Sequence, residues 1–405
     1  MEGPSTHALI VHGSALDHLR SMPDGSVDSV VCDPPYGLSS TGSRHVTEAI
    51  TRWVSGDREF IPSGTGFMGR SWDSFVPPPA LWDECLRVLK PGGHLAAFAG
   101  SRTMDLMTLS IRLSGFDIRD SLAWIYGSGM PHGQDVGKVI AKQSGEKDDR
   151  WAGWNTALKP SFEPIVLARK PLDGRTVASN VLSHGTGAMN IDATRIPHRS
   201  EADRAESEGK NRNGDYGTRP GRNTIYGDFS MVESRNYDGS RGRHPANTII
   251  THSSDCAEDC SIGCQVAELD SMAPGGPSRF FLTTTADGAP TRFMYFARAS
   301  AKERPKYTDD DGKVVQHISV KPLEIMRWLV RLLTPAGGTV LDPFAGSGTT
   351  LEAAAREGFD VVTVERDERY LPLIAERAAR VESLDWQVRA LREGLAAHWS
   401  GHEHT

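Results

Sequence analysis

The chain has 405 residues, 38% of them hydrophobic, and a formal net charge of -7 from 45 Lys and Arg against 52 Asp and Glu. This length accommodates one large catalytic domain with a substantial insertion, or two modest domains. No apolar run approaches a membrane span, which predicts a protein without membrane partners. Because no basic and apolar leader follows Met1, we expect no secretion signal and a cytoplasmic location.

The acidic balance argues against a uniformly basic surface of the kind that grips nucleic acid. Local patches still count, because binding depends on where charges cluster rather than on their sum. Residues 195–243 are rich in arginine but are diluted by glutamates. Two interpretations of this stretch stay open: a phosphate-binding patch, or a solvated loop.

The first part of the chain predicts alternating strands and helices. The predicted strands are 8–11, 27–32, 94–99 and 116–126, and the predicted helices are 15–22, 79–89 and 103–113. Pro91-Gly92-Gly93 predicts a turn before the third strand. Residues 37–75 are rich in Gly and Ser and are predicted to form a loop, because their apolar residues show too little periodicity for a core element.

The alternation stops at about Leu172 and returns after Lys306. Between them we expect extended loops with short strands at 248–250 and 292–297. Beyond them we expect a helix at 322–333, strands at 339–341 and 360–364, a helix from Thr349, and a long charged helix from Arg369 to Trp399. The pattern predicts an α/β fold with a mainly parallel, doubly wound sheet. Residues 1–171 and 307–405 would form one catalytic domain around an insertion at 172–306.

A glycine-rich turn follows the strand at 339–341. It consists of Asp342-Pro343-Phe344-Ala345-Gly346-Ser347-Gly348-Thr349-Thr350. Such a turn at the carboxyl edge of a sheet lets the backbone approach a ligand, and the helix behind it offers free amide groups to an anion. The dinucleotide fingerprint is incomplete because position 351 is Leu, and the phosphate-loop lysine is missing. Alone, this turn is either structural or binds an unspecified ligand.

Glu365 ends the next predicted strand. At that position a carboxylate can accept hydrogen bonds from both hydroxyls of a ribose, which favours a nucleoside cofactor over a bare phosphate. A surface glutamate among other charged residues is the alternative.

A second motif, Asp33-Pro34-Pro35-Tyr36, follows the strand at 27–32. The prolines fix the backbone, so that the Pro34 carbonyl and the Asp33 carboxylate become rigid acceptors beside an aromatic ring. This set fits a planar amino group that donates two hydrogen bonds, because both acceptors favour a pyramidal, more nucleophilic nitrogen while the ring stacks on an extruded base. A plain turn is the alternative.

The two motifs, in this order and at these distances, resemble the beta group of DNA amino-methyltransferases. Residues 124–131 and 158–165 resemble phage and prophage members of that group. The resemblance implies a circularly permuted Rossmann-like sheet that binds S-adenosylmethionine, with an inserted target-recognition domain. It implies that Asp33, Pro34 and Tyr36 hold the base, that residues 342–349 hold the methionine part of the cofactor, and that Glu365 binds the ribose.

His317, Ser319 and Lys321 resemble a further cofactor segment of the family, in which Ser319 and Lys321 meet the methionine carboxylate. A lysine snorkelling at a helix start is the alternative for Lys321. The chain departs from the family at Gly13-Ser14, where many members have Gly-Asp.

The implied reaction is direct methyl transfer to the exocyclic amino group of a flipped base in duplex DNA. An initial Asp resembles the adenine-N6 members, and N4-cytosine methylation is the alternative. Methylation of RNA or of a protein amide stays open, as does DNA binding without catalysis. A homodimer and a cognate restriction nuclease are candidate partners. The candidate DNA contacts lie in the insertion and are Arg241, Arg243, Arg292 and Arg298, the last two within an aromatic and basic stretch.

The chain has five cysteines. Cys32 and Cys85 lie on an apolar strand and helix and are predicted to be core residues. His252, Cys256, Cys260 and Cys264 recur every four residues and supply enough ligands for a tetrahedral structural zinc site. Free thiols on one helical face would show the same spacing, so both interpretations stay open.

Overall fold

The computed structural model describes most of the chain. The described residues are 6–38, 42–64, 66, 71–126, 133–146, 148–209, 241–252, 256, 260–261, 264–272, 276–284 and 303–390. The predicted strand at 292–297 lies outside them. Within the described ranges, no helix combines the length and the apolar character needed to cross a bilayer.

Helices and strands alternate over both ends of the chain. The helices are α1 Ala15–Ser21, α2 Ser43–Val54, α3 Pro79–Val88, α4 Met104–Leu113, α5 Val136–Ser144, α6 Val177–His184, α7 Glu201–Gly209, α8 Gln265–Ser271, α9 Leu323–Leu333, α10 Thr349–Arg356 and α11 Leu371–Ala378. The strands are β1 Thr6–His12, β2 Val27–Cys32, β3 Leu89–Phe98, β4 Asp117–Ile125, β5 Phe162–Arg169, β6 Thr248–Thr251, β7 Leu282–Thr284, β8 Lys306–Thr308, β9 Val314–Gln316, β10 Thr339–Asp342, β11 Asp360–Glu365 and β12 Leu384–Ala390.

Ten strands form one sheet in the order β12-β1-β11-β10-β2-β3-β5-β4-β6-β7, and β8 pairs with β9 in a separate hairpin. In the described sheet only β5 runs antiparallel to its neighbours. Two late strands, β10 and β11, lie between β1 and β2. This order confirms the predicted α/β fold with a permuted, mainly parallel sheet.

Both faces of the sheet are covered by helices. One buried cluster joins α9 and α10 to the sheet through residues such as Trp328 and Leu351, and a second joins α1, α3 and α4 through residues such as Leu19 and Trp82. Strand β2 is buried at all six positions. Because parallel strands covered on both sides lose contact with water, their sequences are almost continuously apolar, which is why the central strands could be predicted.

The prediction of a loop over 37–75 is wrong at residues 43–54, which form α2. Val46, Ala49, Ile50 and Trp53 follow the helical spacing of three and four residues and face the core. Trp53 is 1% exposed, and its indole N–H donates to the Phe60 carbonyl at 2.8 Å. Four apolar positions within a polar stretch were therefore sufficient for an amphipathic helix.

The predicted helix from Arg369 to Trp399 is also wrong. Helix α11 ends at Ala378, and the chain then forms β12, which pairs in parallel with β1 from Leu384↔Thr6 to Ala390↔His12. Leu384, Trp386 and Val388 pack against the core at every second position, which is the period of a strand rather than of a helix. Residues 391–405 lie outside the described part.

Two further differences concern the middle of the sheet. Strand β3 begins at Leu89, so the predicted turn at residues 91–93 lies within it. Gly92 has a φ of 78°, and a Cβ there would lie 2.4 Å from the Asn180 side chain, so the close approach of α6 requires glycine. Strand β5 was not predicted, although it inserts between β3 and β4.

The segment at 172–306 contributes to the same sheet. Strand β6, predicted at 248–250, pairs with β4, and β7 pairs with β6 to form the far edge. The limits of the insertion at 172 and 306 stay a prediction.

A buried ion pair connects α10 to α11. Glu352 accepts from the Arg377 guanidinium at 2.5 Å, and the two side chains are 2% and 0% exposed. Arg377 also donates to the Glu303 carbonyl at 2.6 Å. Because a buried charge without its partner is costly, this pair constrains the helix that follows the glycine-rich turn.

We expect Glu352→Ala to lower the free energy of unfolding by about 3–5 kcal/mol, because it leaves Arg377 buried without a carboxylate. Urea denaturation measures the change. Glu376→Ala is the matched control, since it removes an exposed i,i+4 pair with Arg380 and should cost less than about 1 kcal/mol. Equal effects of the two substitutions would contradict the assigned role of the pair.

Candidate functional site

The two predicted motifs lie side by side at one edge of the sheet. Strand β10 pairs in parallel with β2 through Val340↔Ser29 and Leu341↔Val30. Asp342 ends β10 and Asp33 follows β2, so both carboxylates lie at the carboxyl edge. Strand β11 pairs with the other side of β10 and ends at Glu365. The topology therefore assembles one site from residues far apart in sequence.

The glycine-rich turn is a cradle that side chains would fill. Gly346 and Gly348 have φ values of 53° and 81°. A Cβ on Gly346 would lie 3.2 Å from the His317 ring, and one on Gly348 would lie 3.1 Å from the Ile374 backbone. The Ala345 N–H donates to the Val364 carbonyl at 2.9 Å, which fixes the turn against β11. Only glycine adopts a positive φ without strain and also leaves the space that a Cβ would occupy.

The rest of the turn is buried except for Phe344, which is half-buried. Phe344 packs against Trp82 with ring centroids 6.4 Å apart, while Pro343 connects it to Asp342. The hydroxyls of Ser347 and Thr349 lie 3.3 Å apart and both residues are buried. These contacts hold the start of α10 in one position.

Two buried carboxylates flank this turn. Asp342 is 1% exposed and accepts from the Phe344 N–H at 3.0 Å, and burial raises its pKa to about 7. Glu365 accepts from the N–H groups of Gly346 at 2.8 Å and Asp367 at 2.7 Å. Burial raises the pKa of Glu365 to about 7 despite these hydrogen bonds. A carboxylate beside a glycine cradle fits the nucleoside part of the expected S-adenosylmethionine.

The Asp33-Pro34-Pro35-Tyr36 backbone is fixed by its neighbours. Asp73 accepts from the N–H groups of Tyr36 at 2.7 Å and Gly37 at 3.0 Å, while the Thr103 hydroxyl donates to the Tyr36 carbonyl at 2.7 Å. Gly37 has a φ of 65°, and a Cβ there would lie 2.7 Å from the backbone of Phe75. Pro34 is buried and Pro35 is half-buried. The motif is therefore a rigid turn.

A lysine links the tetrapeptide to two carboxylates. The Lys321 Nζ lies 2.6 Å from Asp33 Oδ2 and 3.5 Å from Glu163 Oε2. The ammonium also lies 5.2 Å from the ring centroid of Tyr36 and 5.1 Å from that of Phe98. Burial opposes the charged form of Lys321, but Asp33 and Glu163 outweigh it and raise the pKa. This lysine is therefore charged, and its position is fixed.

Glu163 positions the aromatic side of the same site. It accepts from the Tyr36 hydroxyl at 2.9 Å and from the Tyr126 hydroxyl at 3.2 Å. Burial, followed by the Asp33 and Glu163 charges, raises the pKa of Tyr36 well above its usual value. Tyr36 is therefore a neutral ring held in one orientation.

The segment at 317–321 crosses from the cradle to the tetrapeptide. His317 contacts Tyr370 with ring centroids 4.7 Å apart, and its Nδ1 lies 2.9 Å from the Ser319 carbonyl oxygen. The Ser319 hydroxyl donates to Asp33 Oδ2 at 3.2 Å. The resemblance implies a methionine carboxylate as the partner of Ser319 and Lys321, whereas in this structure both contact Asp33.

Two residues of the site, Asp73 and Glu163, were not predicted to belong to it. Glu163 follows Phe162 at the start of β5, so a prediction of that strand would have placed it near the same sheet edge. Asp73 lies within a stretch that was predicted to be a loop, and nothing in its local sequence signals two backbone hydrogen bonds.

The arginines predicted to contact DNA differ in their exposure and in their ion-pair partners. Arg243 is 7% exposed and both of its terminal nitrogens donate to Asp203 at 2.6 Å. This arginine forms an internal ion pair in the structure, and the expectation that it contacts phosphate stays a prediction. Arg241 is more exposed and pairs with Asp192 at 2.6 Å. Arg292 and Arg298 lie outside the described residues, as do residues 210–240 of the arginine-rich stretch.

The cysteines divide as predicted into two groups. Cys32 and Cys85 are buried in the core. The ligand atoms of His252, Cys256, Cys260 and Cys264 all lie within 4.8 Å of one another. The four residues are therefore one cluster, which begins directly after the end of β6.

Burial of Asp342 predicts a pH-dependent stability. The pKa of Asp342 is about 7 in the folded state and about 3.9 in the unfolded state. At pH values between these two pKa values the folded state binds one proton more than the unfolded state, so the free energy of unfolding falls as pH rises. From pH 5.5 to pH 8.5 we expect the free energy of unfolding of the wild type to fall by about 2 kcal/mol relative to that of Asp342→Asn, which has no titrating group at this position.

Urea titrations at the two pH values measure this difference. Asp24→Asn is the control, because its carboxylate is exposed and pairs with Arg87 at the surface. This control should follow the wild-type curve. A constant difference between Asp342→Asn and the wild type across the range would contradict the effect.

Curated relatives match parts of the chain. The type II methyltransferase M.HindIII of Haemophilus influenzae is 26% identical over 208 residues, which are 45% of this chain and 64% of that enzyme. The type II methyltransferase M.MjaI of Methanocaldococcus jannaschii is 33% identical over 85 residues, which are 20% of this chain and 28% of that enzyme. The chain thus spans less than two thirds of the length of these relatives.

Solved structures match over longer stretches. TTHA0409 of Thermus thermophilus, described as a DNA modification methylase and solved with S-adenosyl-L-methionine, is 20% identical with a TM-score of 0.43, covering 95% of this chain and 99% of that one. The PvuII cytosine-N4-specific DNA methyltransferase is 14% identical with a TM-score of 0.44, covering 93% and 89%. At these identities and scores the likeness says nothing about the substrate.

A family model described as DNA methylase, of the N6/N4 type, matches residues 27–376. This range includes the tetrapeptide at 33–36, the segment at 317–321, the glycine-rich turn and Glu365. The match covers far more than half of the chain and contains the whole of the assembled site. The chain therefore belongs to the N6/N4 DNA methylase family.

Proposed function

We propose that this protein is a site-specific DNA methyltransferase that transfers a methyl group from S-adenosylmethionine to N6 of adenine in duplex DNA. The observation that carries the proposal is the pairing of β2 with β10, which puts Asp33 beside the glycine cradle at one sheet edge. A base amino group held by the tetrapeptide would then face a cofactor held by the cradle.

The cofactor supplies an electrophilic methyl group. The residues that would hold it are Gly346 and Gly348, which allow the backbone to approach closely, and Glu365, whose carboxylate would accept from the ribose hydroxyls. His317 closes the cradle beside Gly346. These contacts would limit the freedom of the donor, which is the main way such a site lowers a barrier to direct transfer.

The tetrapeptide would orient the base. Lys321 and Ser319 hold Asp33 through Oδ2, and we assign Oδ1 and the Pro34 carbonyl as acceptors for the two amino protons. Tyr36, fixed by Glu163, would stack on the extruded ring. Accepting both protons localises the nitrogen lone pair, so the amino group becomes the better nucleophile.

No side chain needs to attack the base. Burial raises the pKa of Cys32 well above its usual value, so this thiol stays protonated within the core. The described site therefore favours direct transfer to a nitrogen over a covalent enzyme–base intermediate.

The choice of adenine rests on the Asp that opens the tetrapeptide, a feature that resembles adenine-N6 methylases. Asp and the Pro34 carbonyl would hold the amino group of cytosine equally well, so N4-cytosine methylation is the second candidate. Duplex DNA is the proposed partner, and Arg241 is retained as a proposed phosphate contact. A second copy of the chain and a cognate nuclease stay predictions.

We expect Asp33→Ala to lower kcat by about 10²-fold or more, because it removes a preorganised acceptor for the reacting amino group. The assay incubates protein with labelled S-adenosylmethionine and mixed-sequence duplex DNA, then identifies the methylated nucleoside by mass spectrometry. Asp57→Ala, which removes a surface pair with Arg52, is the control and should keep full activity.

Each product has a defined meaning. N6-methyladenine that depends on Asp33 supports the whole proposal, and N4-methylcytosine keeps the mechanism but changes the base. If the wild type binds the cofactor but produces no methylated deoxynucleoside, the proposal is contradicted. The same assay with RNA or protein then tests those substrates, and DNA binding without turnover on any substrate indicates a non-catalytic binder.

We expect Glu365→Gln to weaken S-adenosylmethionine binding by about 10-fold or more, because a hydrogen bond to a charged group is worth about 1.5–3 kcal/mol. Isothermal titration calorimetry measures the Kd. Glu368→Gln is the matched control, since Glu368 is exposed three residues further along. An unchanged Kd for Glu365→Gln would remove this residue from the proposed ribose site.

A further inference from the structure

A His-Cys₃ cluster lies after the end of β6, apart from β2, β10 and β11, which carry the two motifs and Glu365. We define it as His252, Cys256, Cys260 and Cys264. His252 directly follows β6, and Cys264 is the residue that caps α8. The cluster therefore joins the end of β6 to the start of α8.

The side chains of the cluster converge on one point. The His252 Nδ1 lies 3.2 Å from the Cys260 Sγ and 3.3 Å from the Cys264 Sγ. All four ligand atoms lie within 4.8 Å of one another. A tetrahedral zinc centre separates its sulfur and nitrogen ligands by roughly 3.5–3.8 Å. Small side-chain adjustments therefore bring the four atoms to coordination distance.

The environment of the cluster suits thiolates bound to a cation. The backbone N–H of Ser261 donates to the Cys256 Sγ at 3.2 Å, and the Ser261 hydroxyl lies 3.2 Å from the same sulfur. Outer-sphere hydrogen bonds of this kind orient metal ligands and stabilise their charge. His252 and Cys264 are 3% and 0% exposed, so two of the four ligands are fixed inside the protein.

The chemical type of the four ligand atoms indicates which metal the cluster would bind. Three sulfur ligands and one imidazole are soft or borderline ligands, which suit zinc and do not suit magnesium or calcium. Four protein ligands also fill a tetrahedral sphere and leave no position for water, the pattern of a structural rather than a catalytic site. Among the described residues none of the three cysteines forms a disulfide, so no disulfide competes for the cluster.

Among the described residues, the apolar core at this edge is small. Its buried members are Ile250, Cys264 and Val266, packed against a few partly buried neighbours. Strand β6 pairs with β4 over three residues only. Small folded units of this kind commonly need a metal or a disulfide in addition to their apolar contacts. A metal in the cluster would supply that constraint.

We propose that the His-Cys₃ cluster binds one structural zinc ion, which fixes the end of β6 to the start of α8 and stabilises the sheet edge formed by β6 and β7. The proposal does not depend on the proposed methyltransferase activity. Metal content is a property of the purified chain, whichever substrate the enzyme modifies.

The first test is the metal content of the full-length protein purified without chelator, measured by inductively coupled plasma mass spectrometry. We expect about one zinc per chain in the wild type. Cobalt exchanged into the site should show the visible absorption of a tetrahedral centre and a thiolate charge-transfer band. Less than about a tenth of a zinc per chain, iron in its place, or an intact mass that reveals a disulfide would each overturn the proposal.

The second test compares two cysteine substitutions. Cys260→Ser removes the exposed ligand of the cluster, so the fold should survive while zinc affinity falls by more than the ~10-fold that outer-sphere changes cause. Cys85→Ala is the matched control, because it removes a buried thiol from α3 outside the cluster. Full zinc retention in Cys260→Ser would contradict the ligand assignment.

The third test locates the effect of the metal. Chelation of the wild type should accelerate hydrogen exchange in β6 and α8 while leaving β10 and β11 unchanged, because metal binding is coupled to folding of the segment that carries the ligands. Equal exchange in all four elements before and after metal removal would show that the ion has no structural role at this edge.

Discussion

The parallel pairing of β2 with β10 is the constraint on which the rest of the site depends. The register Val340↔Ser29 joins segments about 310 residues apart and brings Asp33 and Asp342 to the same sheet edge. Residues at the carboxyl ends of adjacent parallel strands face a common crevice, so the pairing creates a site that neither segment contains alone. The adjacent β11 adds Glu365 to that crevice.

At this edge the charge of a buried side chain is compensated by neighbouring charged side chains rather than by water. Lys321 is buried between Asp33 and Glu163, so their attraction offsets the cost of removing an ammonium from water. Asp342 and Glu365 have no such cation among their closest described contacts, and burial raises the pKa of each to about 7. Carboxylates kept in such different environments are typical of binding and catalytic sites.

Much of the fold could be predicted because the buried strands have an almost continuous apolar sequence and the helices between them begin and end at recognisable turns. The failures have physical reasons. Helix α2 has only four core-facing residues in a polar stretch, and β12 is a half-exposed edge strand whose charged side chains imitate an exposed helix. In both, pairing or packing with a distant segment decides the structure, and local periodicity is too weak to reveal it.

The sequence by itself determined the chemistry of the site: two acceptors and a ring in residues 33–36, two glycines that require a positive φ, and a period of four among the ligands of the His-Cys₃ cluster. Only the tertiary structure decided which groups meet. It gave Lys321 two carboxylate partners, recruited Glu163 and Asp73, and buried Arg243 against Asp203. Residue type sets what a side chain can bind, whereas its partner and charge state depend on neighbours that the chain brings together only when it folds.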